Sequence, residues 1–242
     1  MPGVSCNQRM EEHKIILKKV GVALLVVGLF DIGVMVYCIV NKLSYSSSFN
    51  VFAVIAGILL WRGSIKTARV VEWFGSFMFM GFIGIILAFM VVEPFSLKVA
   101  RFNVEPMYTT ASYLFAFVAI AFIFWMTREL SKEPILEARK VAGLSVGKPV
   151  LAYALGGLLA TGLAFAMYWS NHGDSGRLVK AKANEVYGDS YKIYVSGMNW
   201  AGSSVSAQML AFNELEILQF AVECDTKQLT NGSSGCSLSS PR

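Results

Sequence analysis

The sequence predicts a membrane α-helical protein in which five transmembrane helices precede a small α+β module of one helix and a three-stranded antiparallel meander. Three observations predict it. Of 242 residues, 55% are hydrophobic and 15% charged, whereas soluble domains carry about 25% charged residues. Four apolar stretches, residues 20–40, 70–92, 108–126 and 150–169, have the length of about 17 to 25 residues that crosses a bilayer as helix. Beyond Trp169 the long apolar runs stop and short alternating segments follow, the pattern of strands with one buried face.

The first segment, residues 1–19, is polar and cationic and is expected in the cytoplasm. The helix after it is too long for a cleaved leader, contains an acid and has no small-x-small site behind it, so it is read as retained. A fifth apolar stretch, "FNVFAVIAGILLW", is short, and charge places it. If it spans, Arg9, Lys14, Lys18, Lys19, Arg62, Lys66, Arg69, Arg128, Lys132, Arg139, Lys140 and Lys148 fall on one side, against Lys42, Lys98 and Arg101 on the other. Cations accumulate on the cytoplasmic side of membrane proteins. Five crossings therefore put the amino terminus in the cytoplasm and the last seventy or so residues outside. The net charge of +5 is spread over these loops, which argues against nucleic acid as a partner.

The bundle is assigned residues 20–169. Within it, Glu72 and Glu93 are read as interfacial, the loop between Pro94 and Pro106 as lying along the surface, and "SKEPILEARKVA" as a short surface helix capped by Ser131. Ala152, Gly156, Ala160 and Ala164 recur every fourth residue, a stripe of small side chains along which helices approach closely.

The exported module is assigned residues 170–224. "DSGRLVKAKANEVYG" predicts a helix capped by Asp174 or Ser175 and stopped by Gly188. "YKIYVSGMNW", "VSAQMLAF" and "ILQFAVEC" predict three strands joined by "AGSS" and "NELE". Residues 225–242 are rich in Ser and Gly and are expected to be a flexible tail. Cys224 and Cys236 both lie in the exported part, where an oxidising compartment permits a disulfide, although spacing alone leaves two free thiols equally open.

Asp31 stands among thirteen Leu, Ile, Val and Phe residues between positions 20 and 40. Each contributes about −0.3 to −0.6 kcal/mol to insertion, enough to offset the roughly 2.5 to 3.5 kcal/mol of a central acid. Measured from the cationic anchors at about 1.5 Å per residue, Asn50 and Thr161 reach a similar depth, so Asp31, Asn50 and Thr161 are the candidate intramembrane polar layer. The serine run "SYSSSF" could line a wet approach to it. A protonated Asp31 bonded between helices is preferred to a proton or cation site.

"GDSG", Gly173 to Gly176, resembles the nucleophile loop of chymotrypsin-like serine proteases over four residues. It lacks the following Gly-Pro and a base from elsewhere in the fold, so it is read as a helix cap. With two histidines, His13 and His172, and no Cys-x-x-Cys, no zinc ligand set is expected. No phosphate loop occurs, and Asn231 in "NGS" is a glycosylation acceptor only in a eukaryotic host. No cofactor and no enzymatic activity are expected. The reading is a bacterial inner-membrane protein, with lipid around the bundle and an envelope protein as the module's partner. The rival is a small proton- or cation-coupled carrier using Asp31.

Overall fold

The computed structural model describes residues 6–42, 49–202, 204–225 and 235–239. The serine run after Lys42, the side chain of Asn50 and the sequon at Asn231 lie outside the described residues. The chain is mostly helical and ends in an antiparallel sheet. Its elements are α1 (Cys6–Val40), α2 (Phe49–Trp61), α3 (Ile65–Val92), α4 (Phe95–Val104), α5 (Pro106–Leu130), α6 (Glu133–Val141), α7 (Val150–His172), α8 (Asp174–Tyr187), β1 (Lys192–Ala201), β2 (Ser204–Phe212), β3 (Ile217–Asp225) and β4 (Cys236–Leu238). Four helices are long and apolar enough to cross a membrane: Glu11–Val40, Ile65–Val92, Pro106–Leu130 and Val150–His172. The protein itself covers no more than 22% of the most apolar stretch of any of them. α2 is equally apolar but shorter. Its 13 residues rise about 20 Å, less than the roughly 30 Å hydrocarbon thickness.

The chain divides into two compact units, residues 1–80 with 119–156, and residues 81–118 with 157–242. The first unit is built on the α1–α2 hairpin. A Cβ on Gly21 would stand 2.7 Å from the Trp61 nitrogen and 2.8 Å from the Gly57 carbonyl, and one on Gly57 would stand 2.8 Å from the Gly21 carbonyl. Glycine at both positions lets the backbones meet. Around this crossing Leu17, Val20 and Leu24 of α1 pack with Ala53, Ala56 and Leu60 of α2, Ala68 and Val71 of α3, Met126 and Leu130 of α5, and Ile135 of α6. The start of α1 is thereby level with the end of α2, the start of α3 and the end of α5.

In the second unit the sheet has the order β1-β2-β3-β4 with every pair antiparallel. Alternation sorts its side chains. Val195, Ala207, Met209, Ala211, Phe220 and Val222 pack beneath Val179 and Ala183 of α8. Tyr194, Leu210 and Phe212 face the other way, onto Leu97 and Ala100 of α4. α4 turns Phe95, Val99 and Phe102 outward, at the spacing of one helix face.

Three expectations are corrected here. The meander has a fourth strand, β4, inside the segment read as tail. Its Cys236 pairs with Cys224 and is joined to it by a disulfide, a tertiary constraint that Ser/Gly composition does not report. Ser131 does not cap α6; Lys132 holds the cap position without a side-chain bond, and the Ser131 hydroxyl lies 2.7 Å from Glu72 Oε1 instead. α8 likewise begins after Gly173, with Asp174 in its first turn, where an acid complements the helix dipole.

Candidate functional site

The site is built where α7 turns into α8. A Cβ on Gly173 would stand 2.7 Å from the Trp169 carbonyl, and one on Gly176 would stand 2.2 Å from the Ser170 carbonyl. Only glycine permits so tight a corner, which is the physical content of the "GDSG" stretch. The corner aims two side chains. Asn171, 4% exposed, donates from Nδ2 to the Val195 carbonyl at 3.0 Å and accepts the Val195 N–H on Oδ1 at 3.1 Å. It stands in for a neighbouring strand on the outer edge of β1. Lys180, in the second turn of α8, donates back to the Asn171 carbonyl at 2.9 Å.

Next to this corner α3 ends and α4 begins. Glu93 is buried at 5% exposure. The Arg101 guanidinium comes within 2.8 Å of its Oε1 but off the hydrogen-bonding direction, so that oxygen has a countercharge and no aligned donor. Burial pushes the Glu93 carboxyl above its ordinary range, against the opposing pull of Arg101 and then Lys98. Burial also raises the Tyr194 phenol, helped by the Glu93 charge and opposed by Arg101 and by an Asn171 hydrogen bond. Lys180 is lowered by burial, and no acid offsets it.

These groups border a cleft of about 340 Å³ lined by Val91, Val92, Pro94, Tyr168, Asn171, His172, Lys180, Ile193 and Tyr194. One wall is aliphatic. The other presents an ammonium, two phenols and an imidazole that stacks on Tyr168 with ring centroids 4.3 Å apart. Among the described residues no carboxylate lines it, so the chemistry it offers is donation and positive charge.

The first unit holds a second polar cluster. Arg139, fully buried, forms a short ion pair with Glu72 and donates to the Leu130 carbonyl at 3.3 Å. Arg69 lies 3.5 Å from the same Glu72 oxygen and donates to the Gly147 carbonyl at 2.8 Å. Glu129 is paired with Lys132 at 2.7 Å and Lys19 at 3.7 Å. Two acids read as interfacial, Glu72 and Glu93, are therefore both covered by the loops beside them.

Asp31 is half-buried on α1 and has an interaction partner. Asn50 lies in the first turn of α2. Thr161 is exposed on α7, and its hydroxyl donates to the Gly157 carbonyl of its own helix at 2.9 Å. Asp31 and Asn50 belong to the first unit and Thr161 to the second. In the α7 stripe Ala152, Gly156 and Ala160 are buried and Ala164 is half-buried; Ala160 fills the place where a Gly84 Cβ would stand. Among the described residues no three His, Cys, Asp or Glu side chains gather as a metal site. Asn171, Lys180 and Tyr194 escaped the sequence reading. The one local hint was the glycine pair at Gly173 and Gly176 beside a helix end. No family model matches the chain, and the comparisons with curated proteins and with solved structures found no match.

Proposed function

We propose that this is a plasma-membrane protein of a bacterial cell that crosses the bilayer five times and holds its C-terminal sheet outside as a recognition module. The crossing pattern is supported by the first unit's core, in which the start of α1, the end of α2, the start of α3 and the end of α5 share one layer. Lys14, Lys18, Lys19, Arg62, Lys66, Arg69, Arg128 and Lys132 lie within a few residues of that layer in sequence, as a cytoplasmic face requires. With α2 returning along α1 as an antiparallel partner, the chain completes an odd number of crossings.

One observation carries the recognition reading: among the described residues, the outer edge of β1 is bonded at Val195 and its far end, Asn199 to Ala201, is exposed. Asn171 takes both backbone groups of Val195. The register then slips by one residue between Val195 and Gly197, so the alternation of outward groups resumes at Met198 and Trp200. Trp200 is 51% exposed. An extended segment of an envelope partner adds to this end as a further strand, gaining main-chain bonds and the indole surface. A photoreactive amino acid placed at Asn199 in the full chain, in its own membrane, is expected to give one discrete adduct. Trp200→Pro removes an outward N–H and abolishes it; Trp200→Thr keeps the N–H and retains it. Equal adducts from both variants, or none from the parent, refute strand addition.

A further inference from the structure

We propose that the cleft between the ends of α3 and α7 binds the phosphate group of an anionic membrane lipid, with Lys180 as its principal contact. The inference deepens the membrane reading and rests on α3 and α7 being spans. Both end at the cleft, since Val92 is the last residue of α3 and His172 the last of α7. A pocket at that level meets the headgroup layer, where phosphates are the abundant anions.

The lining matches such a group. Val91, Val92, Pro94 and Ile193 form an aliphatic side, and Val91 is 84% exposed, so acyl chains can leave the cleft along the end of α3. The polar side offers donors: the Lys180 ammonium and the Tyr168 and Tyr194 phenols, while the His172 ring directs Nδ1 at the Tyr168 carbonyl, 3.1 Å away. An ammonium has three N–H groups. One of them is committed to the Asn171 carbonyl, which fixes the side chain and leaves two for a ligand. The acid closest in sequence, Glu93, faces Arg101 and is not part of the lining. A volume of about 340 Å³ accommodates a glycerophosphate head but not a whole lipid, so the chains stay in the bilayer. Burial without a carboxylate partner lowers the Lys180 ammonium; an anion in the cleft supplies the missing countercharge.

The test uses the full chain in a neutral detergent, with bound lipid counted by native mass spectrometry during titration with short-chain phosphatidylglycerol, phosphatidylcholine or inorganic phosphate. The expected result is preferential retention of phosphatidylglycerol by the parent. Retention weakens about tenfold or more in Lys180→Gln, the scale of one charge-assisted bond. Lys180→Arg restores it, and Lys182→Gln, whose ammonium pairs with Glu185 of the same helix and does not line the cleft, leaves it unchanged. Lys180→Arg also stands in should Lys180→Gln fail to fold: a parent that binds phosphatidylglycerol and an arginine variant that matches it support the site. Equal binding of the two lipids, or parent-like binding by folded Lys180→Gln, overturns the proposal. Tight binding of inorganic phosphate without phosphatidylglycerol overturns the lipid source. The span reading fails by a separate observation, release of the full chain from membranes by alkaline carbonate.

Discussion

Glu72 lies near the start of α3 and Glu93 directly after its end, and both are almost inaccessible, yet the protein treats them differently. Glu72 receives two guanidinium groups and a hydroxyl from α3, α6 and the turn between α5 and α6. Glu93 has one guanidinium, misaligned, and stands beside an open cleft. Both Glu72 oxygens are bonded, while the Arg139 Nε beside them and the Glu93 Oε1 have no hydrogen-bond partner among the described residues. A carboxylate whose oxygens are satisfied rigidifies its surroundings, whereas one left partly satisfied keeps an unmet demand for a partner. The first cluster reads as scaffold, tying α6 to α3. The second borders the cleft for which lipid binding is proposed.

The comparison breaks most visibly at Arg139. Arg139→Leu leaves Glu72 buried without its main countercharge and is expected to cost about 3 to 5 kcal/mol, measured as a lowered unfolding midpoint in micelles. The double variant Arg139→Leu with Glu72→Gln recovers most of that loss if the pair is scaffold and nothing else. At the other end, Asn171→Ala strips the Val195 backbone groups of their partner and is expected to cost about 1 to 3 kcal/mol. Hydrogen exchange at Val195 accelerates while that at β2 stays slow, which separates an edge lesion from global unfolding.

The smallest effect is a pH slope. Because burial raises the Glu93 carboxyl above its ordinary 4.5, the folded protein binds that proton more tightly than the unfolded chain does. Stability is then greatest below 4.5 and falls as pH rises through the folded value. Arg101→Gln removes an opposing charge, carries the window to higher pH and lowers stability at neutrality. Glu93→Gln abolishes this part of the slope, read from unfolding midpoints between pH 4 and 8. If the slope survives in Glu93→Gln, the carboxyl is not the group responsible.

Much of this architecture is legible in the residues alone. The alternation in "YKIYVSGMNW", "VSAQMLAF" and "ILQFAVEC" locates β1, β2 and β3 to within a residue or so, because strand periodicity is a local property. Gly188, with φ +64°, stops α8 where a left-handed residue is needed. The fourth strand is not legible, since three residues of "CSL" acquire strand geometry only through β3 and the disulfide. Nor is the short cap of α6: Ser131 had a carboxylate partner 59 positions away in sequence. The depth ruler laid along Asp31, Asn50 and Thr161 measured position along each helix but carried no information about which face each residue presents.

By itself the sequence determined the apolar lengths and the alternation of the module, both of which depend on neighbours within a few residues. Tertiary structure alone decided which buried polar groups are satisfied. Arg139 meets Glu72 from 67 positions away, and Asn171 meets Val195 from 24. Hydrogen bonds and ion pairs act over about 3 to 4 Å in space, a distance that chain separation does not encode.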